Sequence, residues 1–261
     1  MNRRAAAEAA AAAQIRVEGL TKVFPGGARA LDSVSLEVPR GQFLCIIGPS
    51  GSGKSTLLRC LNRLVEPTAG RIWVGDEEMT AIGGEALRRA RRRAAMVFQQ
   101  FNLVRRSTVL TNVLTGRLGY QVGVRRFLPT FSSEDESMAW KSLERLEIAE
   151  KATVRADQLS GGQMQRVALA RALAQEPDVL LADEPVASLD PETAVVVLDY
   201  LRDINRIDGI TVLCAIHHLE LAKRYADRIV AMRQGRLVYD GLPGDLDDDA
   251  YKRIYGRLGY D

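Results

Sequence analysis

The run "GPSGSGKST", residues 48–56, leaves this chain few folds to adopt. It fills the pattern G-x4-G-K-[ST] in full. The stretch before it, "QFLCIIG" (42–48), is continuously apolar and reads as a strand buried on both faces. The stretch after it, "LLRCLNRL", reads as a helix. A strand that breaks into glycines and restarts as a helix folds tightly, turning backbone N–H groups inward at phosphate oxygens. The helix start adds its own free amides and positive dipole end. Phosphate contact is therefore expected along Gly48, Pro49, Ser50, Gly51, Ser52, Gly53, Lys54, Ser55 and Thr56. Lys54 is placed to reach the β- and γ-phosphates, and Ser55 to offer its hydroxyl to Mg²⁺. The competing reading, a flexible Gly/Ser loop, leaves the strand, the lysine and the helix unexplained.

The same patterning recurs along the chain. "DVLLADEP" (178–185) and "GITVLCAIHH" (209–218) are further buried strands, and "PETAVVVLDYLRDINR" (191–206) between them is a helix opened by Pro191. Apolar strands alternating with helices predict a parallel α/β core. "IRVEGLTKVF" (15–24) and "LDSVSLEV" (31–38) alternate, as half-buried strands of a small antiparallel sheet do, and "GRIWVGD" (70–76) is a short strand. Residues 85–93 carry five arginines within 88–93 and read as a solvated helix face, with a lipid headgroup or partner contact as the alternative. "AAMVFQQ" (94–100) is a strand followed by a loop. Residues 101–177 are mainly helical, with a helix over 136–152 from the spacing of Met138, Leu143, Leu146 and Ile148. Residues 119–131 read as an exposed connection. Helix and then strand continue from 219, "QGRLVYDG" closes as a hairpin, and the acidic stretch 245–249 with the tail to Asp261 reads as peripheral helix.

Composition sets the outer bounds. The 261 residues, 46% hydrophobic and 26% charged, supply one large domain or a core with an inserted subdomain. Cys45, Cys60 and Cys214 form no CxxC pair, which argues against a zinc site or a disulfide framework and suits a reducing cytoplasm. A net charge of +3 is too mild to argue for nucleic acid. No stretch reaches the ~18 apolar residues of a membrane span. The Ala-rich start, residues 1–14, reads as a helical or disordered tail because Glu8 interrupts its alanines.

Two further stretches carry chemistry. "VLLADE" (179–184) puts Asp183 and Glu184 at the end of a buried strand, the end that lies beside a phosphate loop in a parallel sheet. Asp183 would hold Mg²⁺ through water, and Glu184 would take a proton from the attacking water. "LSGGQMQRVALARAL" (159–173) then opens a second helix with an N-capping Ser160 and uncovered amides at Gly161 and Gly162, although an ordinary capped helix looks the same.

"LSGGQ", with the phosphate loop, "DEP" and "SLD" in that company, resembles the ATP-binding cassette family over residues 15–245. The resemblance implies a P-loop NTPase (RecA-like) α/β core with an antiparallel β subdomain and an inserted helical subdomain over about 101–177, leaving 246–261 as a tail. It implies that ATP and Mg²⁺ are bound between two copies of the chain, the signature residues Ser160, Gly161, Gly162 and Gln163 meeting the γ-phosphate held by the partner. It places Gln99 on Mg²⁺ and the attacking water, with Gln100 as the neighbouring alternative. His217 becomes the switch histidine ahead of His218, Asp190 the acid of an interface loop, and Phe24 the aromatic that stacks on adenine, although Phe24 also fits a packed strand. It further implies membrane permease subunits gripping the cassette near Gln99 at the cytoplasmic face of the inner membrane, and, indirectly, a periplasmic substrate-binding protein.

"FQQFNLVRRSTVLTNVLTGRLG" (98–119), "LADEPVASLDPETA" and "LRDINRIDGITV" are similar to the ATP-binding subunits of phosphonate importers. Phosphite, phosphate, an amino acid or another small anion stays open as cargo. Ala215, where many relatives carry Thr, and the extended Ala-rich start depart from that pattern. Two other classes compete. A soluble cassette of translation or DNA repair would bring two cassettes or a long coiled coil, and a silent binding module would not need Lys54, Asp183, Glu184 and His217 together.

Overall fold

Alternation along the buried strands decides where the core lies. A computed structural model describes residues 13–121, 123 and 130–256. Most of the Ala-rich start (residues 1–12), residues 122 and 124–129 of the expected connection, and residues 257–261 lie outside the described residues. Strand β3 (Phe43–Ile47) is buried at every position. Its Phe43, Cys45 and Ile47 enter one apolar cluster, and its Leu44 and Ile46 enter another on the opposite face. The strands β7 (Val179–Asp183) and β8 (Thr211–Ala215) divide in the same way. A sheet with two apolar faces must be covered on both.

These strands form a six-stranded sheet with β6 (Ala94–Val97), β9 (Arg228–Arg233) and β10 (Arg236–Gly241), in the order β10-β9-β3-β8-β7-β6. All pairs are parallel except β9 with the edge strand β10. A second, antiparallel sheet runs β2-β1-β4-β5, with β1 Ala13–Val23, β2 Arg29–Pro39, β4 Ala69–Val74 and β5 Glu77–Glu78. Between the sheets lies α1 (Lys54–Leu61), whose Leu57, Leu58 and Leu61 are fully buried. Each such leucine contributes about 1.5–3 kcal/mol relative to exposure. The helix is thereby fixed at the C-terminal end of β3, its first turn facing the end of β7.

The helical segment enters between β6 and β7, as expected. The helix α2 (Gly84–Arg92) stands just before β6 and outside this segment, which holds α3 (Val109–Leu114), a 3₁₀ turn (Thr115–Tyr120), α4 (Ser133–Arg145) and α5 (Gly161–Leu173). The chain continues through α6 (Pro191–Ile207), α7 (Leu219–Tyr225) and α8 (Asp248–Tyr255).

Three details differ from the sequence expectation. The helix expected over 136–152 begins earlier and ends at Arg145, because Ser132 and Asp135 cap its start reciprocally and Glu147 takes a left-handed φ of 51° just past its end. Leu143, Leu146 and Ile148 stay fully buried, the last reached through that turn. The arginines of α2 do not form a free solvated face: Arg88 donates to the Leu118 and Gln121 carbonyls, Arg91 to those of Asn62 and Arg63, Arg92 stacks on Tyr120, and Arg93 pairs with Asp178. The C-terminal helix α8 is anchored, with Ala250 and Ile254 buried in the main core.

Candidate active site

The loop between β3 and α1 is shaped by its glycines. Gly48, Gly51 and Gly53 have φ of 143°, 75° and 107°, a region where a side chain is strained. At Gly48 a Cβ would fall 2.2 Å from the Met232 carbonyl oxygen, so no other residue fits there without moving β9. At Gly51 a Cβ would meet open space. Intrahelical bonding starts with Leu57 N–H donating to the Gly53 carbonyl. The amides of Lys54, Ser55 and Thr56 are therefore first-turn donors with no acceptor among the described residues. Ser50 and Gly51 are exposed, Pro49 is half-buried, and Ser52 is buried with its hydroxyl unpaired. The cradle suits a phosphate chain: turned backbone, free amides and a dipole end converge on one space.

Lys54 is 3% exposed, and its ammonium donates to the carbonyls of Gly48 and Pro49 at 2.8 and 3.1 Å. Burial pushes its pKa below the usual lysine value, against the pull of Glu184 and Asp183, which raise it. The loop closes its lysine on itself, holding a cation where a polyphosphate would sit.

Strand alternation explains the acids. Val179 and Leu181 face the α1 side, and Asp183 is the next residue of that series. Asp183, 1% exposed, accepts from the Ser55 hydroxyl at 2.6 Å and from Arg59 at 3.0 Å. Glu184 leaves the strand with a left-handed φ of 51°, unusual for a non-glycine residue. That turn brings its carboxylate to His217 Nε2 at 2.5 Å. His218 stands at the N-cap position of α7 without a side-chain capping bond and is exposed, so the histidine that meets the acid is His217.

Gln99 and Gln100 are both exposed, two and three residues past the end of β6, whose Val97 is the register partner of Ala182. Arg171 of α5 ties the next part of this loop down by donating to the Phe101 and Asn102 carbonyls. Phe24 is 37% exposed at the β1–β2 turn, so it is not a packed strand residue. Its turn leads into Ala30 and Leu31, which touch Gly53.

The remaining candidates form a second group. Ser160 accepts from Gln163 N–H, and Gln163 Oε1 accepts from Ser160 N–H. A Cβ on Gly162 would lie 2.4 Å from Thr193 Cγ2, and one on Gly161 3.3 Å from Leu189. Asp190 caps α6 through the Thr193 amide at 2.9 Å, and hydrogen bonding to the Thr193 side chain and then to its amide lowers its pKa. The signature turn and the Asp190 loop thus share one exposed face. Among the described residues no hydrogen bond joins Ser160–Gln163 to the phosphate loop.

The hard oxygen donors Ser55 and Asp183 suit Mg²⁺, which binds through one or two carboxylates plus substrate phosphates and keeps its waters. No cluster of three His, Cys, Asp or Glu side chains that would cage a metal exists among the described residues, and none is needed. Sequence reading missed Arg59. Its only signal is spacing: it stands four residues after Ser55, on the same helix face. It also missed the left-handed Glu184, for which the sequence offers no signal.

Comparison with known proteins gives the family. The sequence pattern of the ABC transporter family matches residues 31–187. The chain belongs to the ABC transporter family. Similar proteins include the phosphonates import ATP-binding proteins PhnC of Bdellovibrio bacteriovorus, 51% identical over 95% of each chain, and of Bradyrhizobium diazoefficiens, 53% identical over 92% of this chain and 88% of that one. Among solved structures, the cassette fits a dimeric ATP-binding cassette in a post-hydrolysis state with ADP and Pi, with a TM-score of 0.77, 34% identity, and coverage of 88% of this chain and 98% of that one. It also fits the ADP conformation of a cassette of an ABC transporter, with a TM-score of 0.81, 28% identity, and coverage of 94% and 99%. The P-loop NTPase fold with its antiparallel and helical subdomains is thereby established, and the cassette is an ATPase. No helix among the described residues is long and apolar enough to cross a membrane.

Proposed function

We propose that this cassette is the ATP-hydrolysing subunit of an importer for phosphonates. The observation that carries the reading is about 50% identity along nearly the whole chain to proteins named for phosphonate import, supported by the contacts of Ser55 with Asp183 and of Glu184 with His217 beside the phosphate loop. Phe24 would stack on adenine, and the amides of the 48–56 loop would hold the phosphates. Lys54 would leave its two carbonyls for the β- and γ-phosphates, a stronger, charge-assisted partner. Ser55, Asp183 and Gln99 would hold Mg²⁺, which supplies positive charge to the phosphate oxygens when bound. Glu184 would take the proton of the attacking water, and His217 would contact the γ-phosphate.

The second group of residues, Ser160 to Gln163 with Asp190, would serve the nucleotide of a second copy. Such a sandwich dimer uses the exposed face that carries them. Membrane permease subunits would dock near the Gln99 loop at the cytoplasmic face of the inner membrane, with a periplasmic substrate-binding protein delivering cargo to them. The domain plan that goes with this is a cassette over about 15–245 with its helical subdomain near 101–177.

The test is growth on a phosphonate as sole phosphorus source, in a host lacking its own uptake cassette and given this chain with its neighbouring transport genes. Growth that Lys54→Ala abolishes is the expected result. No growth from proteins that are made and hydrolyse ATP would remove phosphonate as the cargo.

A further inference from the structure

Asp183 is among the most buried acids of the site, yet the cation beside it belongs to an exposed side chain. Arg59 is 46% exposed, whereas Asp183 is 2% exposed at its side chain, and the two meet at 3.0 Å. Ser55 and Arg59 are one helical turn apart on α1 and take different oxygens of the same carboxylate, Oδ1 and Oδ2. Glu184 has its own partner in His217, and Lys54 is spent on two carbonyls. Arg59 is thus the one cation in direct contact with Asp183 among the described residues.

We infer that Arg59 is a resident counter-cation of Asp183, held in the place of positive charge that the metal later supplies, and that it sets how much Mg²⁺ the site requires. This rests on the reading of Ser55 and Asp183 as the Mg²⁺ residues. A buried carboxylate without a cation is costly, so Asp183 needs one whenever no metal is bound. A guanidinium on a long, half-solvated arm provides it cheaply and is released without disturbing the core. The metal then binds against a positive charge already on its carboxylate. Arg59 is therefore a positioning residue: it keeps Asp183 aimed at Ser55 before the metal binds and weakens Mg²⁺ binding.

The experiment measures ATP affinity of the full chain in excess chelator and in saturating Mg²⁺, using a fluorescent ATP analogue. The ratio of the two dissociation constants reports how strongly metal and nucleotide help each other. In Arg59→Gln the ratio is expected to rise about tenfold, the scale of one unit charge acting over a few ångströms at a partly screened site. Arg59→Lys, which keeps the charge, is expected to stay within about twofold of the wild type. A ratio in Arg59→Gln that is unchanged or lower would overturn the inference, because a merely structural arginine gives that result. A wild-type ratio near one, with Asp183→Asn no different, would instead sink the Mg²⁺ assignment of Ser55 and Asp183.

Discussion

At the scale of single residues, the site is organised by where cations meet acids. Glu184 pays for its position with a left-handed backbone, of the kind that persists only where surrounding structure over-determines it. Its gain is a carboxylate directed at His217 while the neighbouring Asp183, one residue back in the strand, faces α1. Two adjacent acids therefore serve two different tasks. Glu184→Gln keeps the size and the hydrogen-bonding capacity of the side chain but removes the proton acceptor. Hydrolysis is expected to fall by about 10²–10⁴-fold, the usual share of a general base, while ATP binding is retained. Light scattering in saturating ATP checks the consequence: the variant should accumulate as a dimer, and a persistent monomer would speak against the sandwich. Lys54, Ser55, Asp183 and Glu184 were all legible in the sequence, because motif spacing fixes which residues end a strand and begin a helix. The partners they choose were not. Nothing in residues 48–56 says that the lysine folds onto the Gly48 and Pro49 carbonyls, and the pairing of Arg59 with Asp183 joins residues 124 apart.

Among the elements, the start of α5 and the start of α6 behave as one unit. Ser160 and Gln163 cap α5 reciprocally, Asp190 caps α6, and Gly162 lets the two starts touch. The second glycine of the signature is thus required by packing as well as by any ligand: a Cβ there meets the stiff, β-branched Thr193 at 2.4 Å. Gly162→Ala is expected to cost about 1–2 kcal/mol through this overlap, read as a fall of roughly 2–6 °C in Tm. Thr193→Ser removes only the Cγ2 methyl and keeps the amide that Asp190 caps. The double variant Gly162→Ala/Thr193→Ser should recover most of the loss in a thermal melt. Equal melting of the single and double variants would show that the contact does not limit the fit. Element existence was readable here from Ser160 and Pro191, since capping chemistry is local. The contact between the two starts was not, because it depends on tertiary packing across thirty residues. The same reason explains α4, whose apolar spacing continues past its true end through the Glu147 turn.

On the scale of the whole molecule, the candidate residues fall into two separated groups, and this separation is what a shared site predicts. If each nucleotide is held by the phosphate loop of one copy and the signature turn of the other, a two-fold dimer has two identical composite sites. Lys54→Ala then disables the site built on its own loop, and Ser160→Arg disables the site built on the partner's loop, by placing a bulky cation over the uncovered amides. Mixed dimers separate this from a site formed within one chain. With both substitutions in the same copy and a wild-type partner, each composite site contains one lesion, and trapped nucleotide should fall to near zero. With Lys54→Ala in one copy and Ser160→Arg in the other, both lesions fall in the same site, and about half the wild-type trapping should remain. A site completed within one chain predicts the opposite order. The two arrangements contain the same substitutions in the same amounts, so differences in folding or expression cancel, and only the partition of residues between copies is left to decide the outcome.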